Sequence, residues 1–257
     1  IDSAPNAIHS IADVTPIDTS HVPVASLVAL TPSSAAIAQL DWAALQSAVS
    51  QCRACALCEG RKNAVFGAGP VAGDASLPPS VDWMVVGDAP DEEQDRLAAP
   101  FVGEVGKLLD NMLAAMKLSV DEGGKALGLS RHQTVYVTNV LKCREPVTRR
   151  PSAQEVAACE PYLARQIELL RPKVILAMGR LANASLIGST EPLARLRGRV
   201  HALQHARHQA AVIVTYHPTQ LLRDLPAKAK AWEDLLLAMQ AYREHAAQTD
   251  EQTSERT

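Results

Sequence analysis

Five cysteines could do chemistry in this chain: Cys52, Cys55 and Cys58 in one short run, then Cys143 and Cys159 about ninety residues on. Two thiolates in a tight Cys-x-x-Cys turn can face one metal centre while a second pair arrives from a distant segment. The overlapping pairs Cys52/Cys55 and Cys55/Cys58 leave one thiol surplus, and spacing alone selects neither pair. Zinc and an iron-sulfur cluster fit such a set equally well, and buried thiols with no ligand role are the bland alternative. No secretory pattern is recognisable, so a cytoplasmic protein with reduced thiols is expected.

A second group stands where strands are expected to end: Gly87-Asp88-Ala89-Pro90, Asn139 and His217. Each has a dull reading, as a βα turn, a cap or a structural imidazole. Their value lies in convergence, because ligands of open α/β sheets collect at the carboxyl ends of the strands. The turn lacks the GxGxxG pattern, which argues against a dinucleotide.

The elements that must position these groups can be read from periodicity. Trp83–Gly87, Val135–Asn139, Val174–Met178 and Val212–Tyr216 are short apolar, β-branched runs. Between them, Lys107–Lys117, Ala153–Leu170 and Arg180–Ile187 carry helical spacing. Strands alternating with helices predict an α/β fold with a mostly parallel, four-stranded sheet covered on both faces. A helix over Leu40–Val49, with Asp41 as its cap, is expected ahead of the cysteines. Residues 1–38 read as a disordered Ala/Ser/Pro-rich lead-in, 39–247 as one domain, and 248–257 as a disordered tail. The stretch from Val120 to Arg131 reads as a loop.

The formal charge of −3 misleads about partners. Acids dominate both tails, so the central domain is net basic, the sign expected of a polyanion binder. Arginines cluster at Arg144, Arg149 and Arg150, and again at Arg195, Arg197 and Arg199. No apolar run reaches the ~18 residues of a membrane span.

These residues resemble the family 4, iron-sulfur uracil-DNA glycosylases. The resemblance runs from Cys52 to about Leu236 and rests on CRACALCEGR, on GDAP followed by PFVGEVGKLLD, on VYVTNVLKCR, Cys159 and LRG, and on TYHPTQLLR. It implies a three-layer αβα sandwich with a 4Fe-4S cluster held by Cys52, Cys55, Cys143 and Cys159, Cys58 being a bystander. It implies a monomeric DNA-repair hydrolase that acts on uracil-containing DNA, single- or double-stranded, and leaves an abasic site.

The same resemblance distributes roles. Phe101 would be the stacking platform for a flipped-out base, and Asn139 would read uracil N3–H and O4. His217 would stabilise charge developing at O2, and Gly87, Asp88 and Ala89 would line the base. Arg144, Arg149, Arg150, Arg197 and Arg223 would be DNA contacts. An Asn amide free to rotate would also accept cytosine, so selectivity needs neighbours that the sequence does not display.

Several positions depart from the family pattern. Asp88 stands for a usual Glu, Asp91 for Gly, Gln94 for Glu, Ala98 for Gly and Val105 for Ala. Loss of the carboxylate at Gln94 is expected to slow turnover, with Glu92, Glu93 or Asp95 as possible substitutes. The alternatives are a catalytically weakened iron-sulfur DNA-binding module and a glycosylase for another deaminated base.

Overall fold

The computed structural model describes residues 32–70, 81–120, 135–204 and 208–254, the last seven as backbone only. The elements in order are α1 (Ser34–Ile37), α2 (Trp42–Gln51), β1 (Trp83–Gly87), α3 (Glu92–Leu97), α4 (Gly103–Ala115), β2 (Val135–Asn139) and α5 (Ala153–Leu170). They continue with β3 (Val174–Met178), α6 (Arg180–Ile187), α7 (Leu193–Leu196), β4 (Val200–Ala202), β5 (Ala211–Thr215), α8 (Pro218–Leu221) and α9 (Ala227–Ser254).

The strands form one sheet in the order β2-β1-β3-β5-β4. The first four are parallel and β4 pairs antiparallel with β5. The four parallel strands are the expected ones; β4 is a fifth that the sequence did not announce. Its three residues are half-buried or exposed, so they lack the continuous apolar run by which buried strands are recognised.

Alternate side chains of each strand feed two cores, as a period of two requires. Trp83, Val85, Val137, Leu176 and Ile213 pack with Leu109 and Leu113 of α4 and Leu235 and Ala238 of α9. Met84, Val86, Tyr136, Ile175 and Val214 pack on the opposite face with Leu163 and Ile167 of α5 and Ala182 and Leu186 of α6. The result is a three-layer α/β sandwich. A third cluster, at the cysteine end, joins Leu45 and Val49 of α2 to Leu141, Cys143, Cys159 and Tyr162.

Local signals account for the helix starts. Asp41 caps α2 by accepting from Ala44 N at 2.8 Å. Ser152 and Glu155 close a capping box at the start of α5. Two expected boundaries shift: Ser34–Ile37 is helical with Ile37 buried, and α9 continues past Gln248 to Ser254. Residues 1–31 of the lead-in and residues 121–134, which hold nearly all of the segment read as a loop, lie outside the described residues. Among the described residues, no helix is long and apolar enough to cross a membrane.

Ala98 ends α3 in the left-handed region, with φ +54° and ψ +27°, where a Cβ costs about 1–2 kcal/mol. Ala98→Gly should therefore stabilise the fold by about 0.5–1 kcal/mol, after allowing for glycine's extra freedom in the unfolded chain. The urea midpoint should rise at unchanged m-value; a midpoint that stays or falls would rule this account out.

Arg197 is only 15% exposed and bonds Asp234 at 3.1 Å, Glu233 at 3.1 Å and Lys230 O. Asp234 is fully buried and also accepts from Thr215 and Gly198 N. Removing the guanidinium strands that carboxylate, so Arg197→Ala should cost about 3–5 kcal/mol. Urea unfolding checks this, and a loss below about 1 kcal/mol would contradict it.

Candidate functional site

Parallel pairing sets Gly87 directly beside Asn139 at the carboxyl ends of β1 and β2. A Cβ at Gly87 would collide with Asn139 Oδ1 and with the Phe101 ring, so glycine is what lets amide and ring close over that strand end. Phe101 has φ +49°, a strained conformation for a bulky residue, of the kind that persists where surroundings over-determine it. His217 lies just past β5, and its ring stacks with that of Phe101 at 5.1 Å between centroids and 27° between planes. Four of the sequence-derived candidates, from four separate segments of the chain, therefore meet at the carboxyl end of the sheet.

Gln94 joins them, and its part was not visible in the sequence. Its Oε1 accepts from Phe101 N at 3.1 Å and from Asn139 Nδ2 at 2.9 Å. The first donor is a main-chain N–H and cannot reverse its role, so the atom facing it must be the Gln94 oxygen. That oxygen in turn demands the nitrogen of Asn139. Asn139 is 1% exposed, and its amide is held in a single sense. The oxygen of Gln94 does this work, and Glu would offer the same oxygen.

Neighbouring acids are committed elsewhere. The Asp95 carboxylate accepts from Lys62 N and Asn63 N, pinning the segment that follows the cysteine run. Asp91 caps α3 through Gln94 N. The Asp88 carboxylate accepts from Arg180 N at 3.1 Å and Ala182 N at 2.9 Å, at the start of α6. Burial pushes the Asp88 carboxyl above its ordinary value while those N–H groups pull it down. Asp88 thus ties the Gly87–Pro90 loop to α6.

His217 Nδ1 accepts from Thr219 N at 3.2 Å, which leaves Nε2 to carry the hydrogen of the neutral ring. Burial pushes the imidazole down to about 4, with Asp91 acting weakly against it. At neutral pH it is an uncharged donor through Nε2.

All five cysteines line one cavity, with Arg61, Lys142 and Tyr162. Among the described residues no three His, Cys, Asp or Glu side chains converge as they would around a single ion. Arg61 donates to Cys143 Sγ at 2.9 Å and to the carbonyls of Ser50 and Cys52. Lys142 N donates to Cys159 Sγ at 3.3 Å. The Lys142 side chain is 2% exposed, and its Nζ bonds Thr138 Oγ1, Asn139 O and Gln166 Oε1, each at 2.7 Å. Among the described residues no carboxylate offsets this buried amine, and burial lowers it to about 7 with Cys159 opposing. Arg61 lies within the cysteine motif and Lys142 beside Cys143, yet nothing in their types announced these contacts.

Arg144, Arg149, Arg150 and Arg223 line a groove of roughly 810 Å³ with Ala89, Pro90 and Asp91. Arg149 forms a two-pronged pair with Glu155 at 2.6 and 2.7 Å, holding that carboxyl down to about 2. Arg150 and Arg223 have no side-chain partner among the described residues. Arg197 does not join this groove; its guanidinium is bound to α9.

A model of the uracil DNA glycosylase superfamily matches residues 75–236. The type-4 uracil-DNA glycosylase of Sulfurisphaera tokodaii is 35% identical over 182 residues, covering 69% of this chain and 74% of that protein. That of Pyrobaculum aerophilum is 33% identical over 202 residues, covering 77% and 93%. That of Thermotoga maritima is 34% identical over 177 residues, covering 68% and 80%. With a matching family model over most of the described domain and relatives that align along most of their length, the chain belongs to the type-4 uracil-DNA glycosylases.

Proposed function

We propose that this chain hydrolyses the N-glycosidic bond of a flipped-out uracil in DNA, releasing the base and leaving an abasic site. The observation that carries this reading is the fixed sense of the Asn139 amide. Its Nδ2 is engaged by Gln94, so Oδ1 is the atom left to accept from uracil N3–H, while the second Nδ2 hydrogen can serve O4. Cytosine offers the reverse pattern and leaves buried polar groups unpaired, which is a strong ground for rejection.

The arrangement of the side chains supports the following chemistry. The extruded base stacks on Phe101, returning about 1–3 kcal/mol of the unstacking cost. As the C1′–N1 bond breaks, its electron pair leaves with the base and spreads over N1 and O2. His217 Nε2–H donates to O2, an interaction that strengthens as charge develops. Water adds at C1′ and loses its proton to solvent, and the departing base anion takes one up. Asp88 acts as a strut that holds the Gly87–Pro90 loop over the base.

We further propose a 4Fe-4S cluster held by Cys52, Cys55, Cys143 and Cys159. The fit is supported by the shared cavity, by the Arg61 bond to Cys143 Sγ, and by a buried Lys142 whose natural counter-charge is a set of thiolates. When bound, the cluster would tie the cysteine segment to β2 and α5 without taking part in hydrolysis. A preparation that is colourless and holds zinc would replace this assignment.

Incubation with uracil-containing oligonucleotide followed by alkali should cleave the strand at uracil. His217→Ala should slow single-turnover release about 10²–10³-fold, and wild-type protein that leaves every uracil intact would end the reading. A panel including hypoxanthine separates the glycosylase for another base.

The wild-type rate should show no inflection near 6.5, because His217 is already neutral there and charges only near about 4. For stability the sign is the reverse of a paired histidine. The unfolded ring takes a proton below about 6.5 that the folded ring refuses, so stability falls as pH drops from there toward 4.

Gln94→Glu should keep uracil excision within about threefold, whereas Gln94→Leu should lower it about tenfold and bring measurable release of cytosine. Unchanged discrimination in Gln94→Leu would show that something else holds the amide.

A further inference from the structure

Tyr162 is 1% exposed, and its hydroxyl has no hydrogen-bond partner among the described residues. A buried hydroxyl left unpaired is costly, so its place in a native fold is explained by what it faces. Tyr162 follows Cys159 by three residues on α5, which puts both on one face of that helix. It lines the cysteine cavity. Burial pushes its phenol above the ordinary value, with Cys52 and then Cys159 adding to the rise. The hydroxyl therefore faces thiols.

The other polar groups at those thiols are donors too. Arg61 donates to Cys143 Sγ at 2.9 Å, and the main-chain N–H of Lys142 to Cys159 Sγ at 3.3 Å. Burial raises the Cys55 thiol, and a hydrogen bond from the main chain of Leu57 draws it back. Among the described residues no Asp or Glu lines the cavity. Three of the four thiols proposed as ligands thus have one donor each. Cys52 is the fourth, and the group left to serve it is the Tyr162 hydroxyl. Cys58 lines the same cavity, and its spacing from Cys55 equals that of Cys52, so the donors rather than the spacing tell the two apart.

Resting on the thiolate centre proposed above, we propose that the Tyr162 O–H donates to Cys52 Sγ when the cluster is bound. This bond selects Cys52 over Cys58 as the fourth ligand and makes the cluster harder to oxidise. A hydrogen bond to a ligand sulfur favours the more negative state of an iron-sulfur centre, so it opposes the loss of an electron. With a donor on every thiolate, the charge of the centre is shared among Leu57, Arg61, Lys142 and Tyr162. Tyr162 is a positioning residue, since it touches neither base nor DNA.

Tyr162→Phe keeps the ring and removes only the hydroxyl. Ferricyanide takes one electron from the cluster and becomes ferrocyanide, and the oxidised cluster then sheds iron. Bleaching of the visible absorbance and release of iron under ferricyanide should run about tenfold faster in Tyr162→Phe than in wild type. Tyr242→Phe removes a phenol bonded to Asp82 at 2.6 Å, outside the cavity, and should bleach as wild type does. Protein carrying 3-fluorotyrosine at position 162 alone has a stronger donor there and should bleach more slowly than wild type, which decides the question even if Tyr162→Phe does not fold. As isolated, Cys58→Ala should hold as much iron and sulfide as wild type, and Cys52→Ala should not.

Equal bleaching of Tyr162→Phe and wild type, equal acceleration in Tyr242→Phe, or loss of iron in Cys58→Ala would overturn the proposal. If the wild-type protein is colourless and holds zinc, the cluster assignment has failed, and transfer of that zinc to a chelator still decides the hydrogen bond: faster transfer from Tyr162→Phe supports it, and equal transfer overturns it. Wild-type protein that holds no metal overturns both.

Discussion

The site depends on a carbon atom that is not there. Gly87 sits level with Asn139 across the β1–β2 ladder, and the space a Cβ would fill is taken by the Asn139 amide and the Phe101 ring. Parallel pairing brings the strand ends level, the missing side chain lets ring and amide approach, and His217 closes the arrangement from beyond β5. Any side chain at position 87 would push apart the Asn139 amide and the Phe101 ring.

The short helix α3 joins this edge to the cysteine end. Successive residues face opposite tasks: Gln94 holds Asn139 and Phe101, while Asp95 holds Lys62 and Asn63 after the cysteine run. Lys142 makes a second joint, with its main-chain N–H on Cys159 Sγ and its ammonium on Asn139 O. Cysteine cavity and Asn139 amide are therefore two ends of one buried polar network. Such networks are costly when broken and specifying when complete.

The parallel strands were legible because both faces are buried, which leaves continuous β-branched runs, and α5 because its apolar residues recur at helical spacing. β4 was not, being three residues long beside arginines. Residues carrying the family motifs were legible one by one, but contacts between distant segments were not. Gln94 lies 45 residues from Asn139 and read as a lost carboxylate, when its oxygen is what the fold uses. Arg197 read as part of a basic patch because its partner Asp234 stands 37 residues further on. Charge runs show where cations are in the chain, whereas burial decides which of them have anything left to give a polyanion.

The fixed sense of Asn139 starts from the main-chain N–H of Phe101. A main-chain donor is shared by nineteen of the twenty amino acids, so drift at position 101 can alter the ring while leaving the orientation of the amide untouched; only proline removes both. The sense of the amide and the identity of the ring are thereby inherited separately, and a lineage can explore one without gambling the other.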